Sequence, residues 1–90
     1  ICFDCFEVGI EIGRRFAEEF HSEALVKPGK TGKAYVDIRA AIEIQLEECG
    51  VLPQNISAMP LCTFERSDLF YSYRRDRTKT GAMVSVLKLI

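Results

Sequence analysis

The sequence predicts an α/β (α+β) chain in which helices pack on a mixed sheet. Three observations carry that expectation. Val8, Ile12, Phe16 and Phe20 recur every fourth residue, the spacing of one helix face. Asp37 and Gly50 bracket a second apolar-periodic run with a residue suited to starting a helix and one suited to stopping it. The final stretch "GAMVSVLKLI" is nearly apolar throughout and rich in β-branched residues, the pattern of a strand covered on both faces.

The elements follow in order. "DCFEVGIEIGRRFAEEFHS" predicts the first helix, with Asp4 as its cap and Glu7, three residues on, completing a capping box. Glu11, Arg14, Arg15, Glu18 and Glu19 lie largely off its apolar stripe. Gly9 and Gly13 each cost up to about 1 kcal/mol of helix propensity relative to Ala, so their shared face predicts a closely packed neighbouring backbone. "EALVKPGKTGKAYV" reads as a surface loop. Its Gly29-Lys30-Thr31 resembles the end of a phosphate loop, but Ala24 stands where that motif needs glycine.

"DIRAAIEIQLEECG" predicts the second helix, with Ile38, Ala41, Ile42, Leu46 and Cys49 on its buried face. Ile44 lies off that stripe and implies a second covering surface. "VLPQN" is a turn, and "ISAMPL" a short strand that Pro60 confines to an edge or an end. "SDLFYSYRRD" predicts a short helix capped by Ser67, with Leu69, Phe70 and Tyr73 facing inward. Two strands alone are marginal in water, so more chain is expected to complete the sheet.

Ninety residues are enough for one small domain. A hydrophobic share of 48% with 28% charged residues excludes a disordered chain. No apolar run approaches the roughly 18 residues of a membrane span. The chain opens on Ile1, and no basic-then-apolar leader follows, so the expectation is an interior start within a longer polypeptide.

Charge is uneven. Residues 66–90 carry Arg66, Arg74, Arg75, Arg77, Lys79 and Lys88 against Asp68 and Asp76, a local net charge of +4, which leaves −5 on residues 1–65. A preference of the whole chain for nucleic acid is not indicated, whereas a local anion site near the C-terminus is. The four cysteines include one close pair, Cys2 and Cys5; Cys49 and Cys62 form no second pair, and His21 is the only histidine. Zinc ribbons need two close pairs or added histidines, so the expectation is buried thiols in a reducing, intracellular compartment, with no metal held by these residues.

Three segments carry a family resemblance. "CFEVG" is followed by "DIRAAIEIQLEECGVLPQNI" and then by "LCTFERSDLFYSYRRDRTKTGAMVSVLKL". Together they resemble the C-terminal part of the laccase-domain, or YfiH-like multicopper polyphenol oxidase, family. The most specific match is Ser72–Asp76 at its distance from Cys62-Thr63. Four positions depart from the family pattern: Glu65 replaces a second cysteine, Ile42 an Asn, Arg77 a Gly and Ala82 an Arg.

The resemblance implies that residues 1–90 are the C-terminal portion of one larger layered α-β-β-α domain. It implies a purine nucleoside phosphorylase acting on inosine- or adenosine-type nucleosides with phosphate, with adenosine deamination or phenol oxidation as associated activities. It implies a zinc or copper ion held by two histidines and a cysteine upstream of this chain. It also implies a cytoplasmic protein.

Phosphorolysis needs a phosphate held beside the anomeric carbon of the ribose, and arginine offers a permanent charge and paired donors for it. Arg74 and Arg75 are therefore the expected phosphate ligands, and Tyr71 or Tyr73 the surface on which a purine stacks. Adjacent helical residues point about 100° apart, so at most one arginine faces a given pocket and the other pairs with Asp76, Asp68 or another acid. The competing reading is a packing corner of salt bridges and aromatics. A further alternative is a module gripping single-stranded nucleic acid through Tyr71–Lys79, or a structural domain docking through open strand edges. No catalytic residue is assigned; Glu7 is read as a cap, and Cys5 and Cys62 as packed thiols.

Overall fold

The computed structural model describes all 90 residues. It is a mixed α/β arrangement built on one three-stranded antiparallel sheet. Strand β1 is Glu7–Gly9, β2 is Val26–Pro28 and β3 is Lys33–Val36. The spatial order is β1-β3-β2, with Val8 opposite Ala34 and Val26 opposite Val36.

The strands do not lie where the sequence places them. Residues 26–36, expected to be a loop, form the β2–β3 hairpin, and "GKTG" is its turn. The Lys33 amide donates to the Lys30 carbonyl at 2.8 Å, and Gly32 takes φ +76°, a conformation that disfavours side chains. The Pro and Gly signals thus mark the tip of a hairpin whose short strands contain too few residues to show alternation. Conversely, Ile56–Leu61 and Gly81–Ile90 adopt no regular structure. Val84, Val86, Leu87 and Leu89 are each more than four-fifths exposed. β propensity forms no strand without a partner edge to satisfy its backbone.

Helix α1, Ile10–Glu19, begins at Gly9 rather than at Asp4. Asp4 instead pairs with Lys27, and Glu7 lies in β1, so the expected capping box does not form. The expected stripe is split as well. Val8 is buried in β1, Ile12 is 42% exposed, and Phe16 and Phe20 stack on each other at 5.9 Å. The face turned to the sheet is that of Gly13. A Cβ there would sit 3.1 Å from Ala34 Cβ and Val26 Cγ1, so this glycine provides the close approach that its presence predicts.

Helix α2, Ile38–Glu48, forms as read. Asp37 accepts from the Ala40 amide at 3.1 Å. At the other end Gly50 takes φ +95°, the Gly50 amide donates to Glu47 and the Val51 amide donates to Leu46. Those two bonds define a Schellman stop. Its face is only partly covered: Ala41 is buried, whereas Ile42 and Leu46 are exposed. The core is correspondingly small. Seven of 90 residues are buried, with Leu25 and Val36 at its centre.

Candidate functional site

The Ser67-capped helix is shorter than expected. Helix α3 is the single turn Tyr73–Asp76, and its cap is Ser72, whose hydroxyl accepts from the Arg75 amide at 3.3 Å. Ser67 and Asp68 lie instead in a turn, where Arg66 makes two 2.9 Å bonds to the Asp68 carboxylate. That pairing holds the Asp68 carboxyl below its usual range, first through the hydrogen bonds and then through charge.

The two adjacent arginines have different surroundings. Arg75 is half-buried and fully engaged. Its Nη1 donates to the carbonyls of Thr63 and Phe64 at 2.7 and 2.9 Å, and Nη2 to that of Phe70 at 2.8 Å. Nη2 and Nε also grip the Asp76 carboxylate. Arg75 is thus the arginine that pairs with an acid, and it ties the 62–70 segment to α3. Arg74 sits over the Phe6 ring at 4.8 Å, and its Nη1 donates to the Glu7 carbonyl. Tyr73 is 63% exposed beside it.

A second cluster lies under that clamp. The Cys2–Cys5 turn is closed by the Cys5 and Phe6 amides, both donating to the Cys2 carbonyl at 3.1 Å. The Cys62–Glu65 turn is closed by the Arg66 amide donating to the Cys62 carbonyl at 2.9 Å. The two turns meet. The Cys2 amide donates to Cys62 Sγ at 3.2 Å, and the Cys2 thiol to Glu65 Oε1 at 3.3 Å. One donor atom from each of Cys2, Cys5, Cys62 and Glu65 lies within 4.8 Å of all the others. A cleft of about 340 Å³, flanked by Arg39 and Arg66, opens beside Cys62 and Glu65.

The thiols differ in acidity. Burial pushes Cys62 up, but the amides of Cys2, Glu65 and Phe64 and the Cys2 thiol outweigh it and bring Cys62 down to about 7. Burial, followed by the neighbouring Cys2 and Cys62, pushes Cys5 up to about 12. Burial likewise raises Cys2. The reading of Cys62 as a merely packed thiol is therefore corrected: backbone amides, which the sequence does not display, acidify it.

The structure reveals Glu65 as the residue missed by reading cysteine and histidine spacing alone. Its signal was present as the spacing C-x-x-C followed by C-x-x-E, with a carboxylate in place of the fourth thiol.

Fold and sites together define a mixed α/β chain whose chemistry-bearing side chains gather on helix α3 and on the Cys2–Cys5 and Cys62–Glu65 turns. The profile of the multi-copper polyphenol oxidoreductase laccase family matches residues 1–90, and the chain belongs to that family. It is 38% identical over 88 residues to adenosine deaminase RL5 of an unknown prokaryotic organism, covering 90% of this chain and 34% of that protein. It is 33% identical to a purine nucleoside phosphorylase of Deinococcus radiodurans, covering 99% of this chain and 33% of the relative. It is 35% identical to purine nucleoside phosphorylase LACC1 of Homo sapiens, covering 84% of this chain and 19% of the relative. The chain thus spans about a third or less of the length of these curated relatives. No solved structure matches it.

The two-histidine, one-cysteine metal set that the resemblance implies does not fit these residues. His21, the only histidine, occupies the residue after the α1 C-cap with φ +51°, in the left-handed position of a helix stop. No helix is long and apolar enough to cross a membrane.

Proposed function

We propose that residues 1–90 are the C-terminal portion of a larger cytoplasmic, metal-dependent purine nucleoside phosphorylase, and that they contribute its phosphate-binding wall. The family membership and the names of the relatives support the activity. The exposed apolar run at Val84–Leu89 supports a larger domain, because such side chains are normally covered. Free thiols at all four cysteines suit a reducing compartment. The zinc or copper ion of the complete protein belongs to segments other than this one, and no step here is assigned to it.

The observation that carries the site reading is the division of labour between the arginines. Arg75 is consumed by four acceptor groups of its own chain. Arg74 is exposed and has only Nη1 hydrogen-bonded, so its remaining N–H donors are free even though its guanidinium lies over Phe6. In this reading Arg74 grips phosphate, Tyr73 stacks on the purine and Arg75 positions both. Phosphate oxygen bonds to the anomeric carbon as the bond from that carbon to the purine breaks. The electron pair leaves on the base, which takes a proton. Inosine- and adenosine-type nucleosides share the stacking surface that this requires. A second reading, adenosine deamination, rests on the name of the relative RL5.

In the complete protein, Arg74→Ala is expected to raise the phosphate KM or lower kcat at least tenfold, about 1.4 kcal/mol. Unchanged kinetics would remove the anion role from Arg74. A loss of stability is the outcome expected of Arg75→Ala instead.

A further inference from the structure

We propose that Cys2, Cys5, Cys62 and Glu65 form a structural zinc site that staples the start of the chain to the turn before α3. It is independent of the phosphorylase reading and separate from any histidine-based centre. The donor atoms come from two tight turns, each presenting ligands three residues apart. Paired turns of this kind are the usual architecture of closed zinc sites. Cys2 and Cys62 are 60 residues apart in sequence, so only the fold brings the turns together.

The geometry suits zinc. Bonds of about 2.3 Å to sulfur and 2.0–2.2 Å to oxygen put tetrahedral donors about 3.5–3.8 Å apart. The four donors already lie within 4.8 Å of one another, so the ion needs to draw them in by about 1 Å. Three thiolates select a soft or borderline ion over magnesium, calcium or manganese. All four positions are filled by protein groups, which marks a structural centre. The Cys2 amide bonded to Cys62 Sγ supplies the outer contact that orients a thiolate ligand. Zinc with three thiolates and one carboxylate leaves two negative charges in excess. Arg39, on the adjoining cleft and bonded only to the Leu61 carbonyl, lies where it offsets one of them; Arg66 is already paired with Asp68.

The test uses the complete protein, purified with reductant and measured for zinc by elemental analysis. Wild type should carry one equivalent more zinc than Cys5→Ser or Cys62→Ser. Cobalt loaded into zinc-depleted wild type should show a thiolate charge-transfer band that either substitution weakens. Glu65→Ala should weaken zinc binding at least tenfold. Because the serine variants could fail to fold, Glu65→Cys is the decisive companion: it completes a four-cysteine set and should bind zinc at least as tightly as wild type. Equal zinc in wild type and the folded serine variants would overturn the site. So would a Glu65→Cys protein that takes up no zinc here, or a Cys2–Cys62 disulfide that, once reduced, leaves thiols without affinity for zinc.

Discussion

Arg75 donates through Nη1 to the carbonyl oxygen of Phe64 at 2.9 Å, reaching back 11 residues to the turn that carries Cys62 and Glu65. The same guanidinium takes the Thr63 and Phe70 carbonyls and the Asp76 carboxylate. One cation therefore closes a loop with no sheet or helix of its own. The charge runs of "YRRD" look like a solvated surface in sequence, yet one of the two arginines is an internal strut.

Arg75→Ala is expected to destabilise the complete protein by about 2–4 kcal/mol, since hydrogen bonds to a charged donor are each worth about 1.5–3 kcal/mol and several acceptors lose theirs together. Arg75→Lys should recover little, because an ammonium cannot span carbonyls arranged for a planar fork. Denaturant midpoints decide the matter. A lysine variant as stable as wild type would show that charge alone suffices.

Arg77 follows α3 with φ +57° and ψ −126°, a region that side chains disfavour. Glycine is the residue that the resemblance places there. Arg77→Gly should therefore stabilise the protein by about 1 kcal/mol, the lower end of the cost of such a conformation. A melting temperature that falls would mean that the Arg77 side chain makes a contact worth more than the strain.

Asp68 should titrate below an ordinary aspartate when followed through its carboxyl carbon by NMR, and Arg66→Gln should return it to the normal value. The depressed folded value means that the pair stabilises above the unfolded pKa, and that this contribution disappears as pH falls through the folded one. Both side chains are exposed, 44% and 62%, so added salt should shrink the shift. A shift that survives high salt would contradict that screening argument.

What was legible in the sequence was local. The start and stop of α2 were readable because Asp37 meets Ala40 and Gly50 meets Glu47, contacts between residues three apart. The close approach at Gly13, the pairing of one arginine with Asp76, and the α/β class were readable for related reasons of spacing and composition. Tertiary structure alone decided which segments became strands. β1 and β2 each pair only with β3, and the greasy C-terminal run joins neither open edge. It also decided the thiol–carboxylate corner, whose halves are 60 residues apart. Periodicity reports which face of a segment is apolar, but not which distant segment meets it. Backbone amides that acidify Cys62 have no letter in the sequence at all.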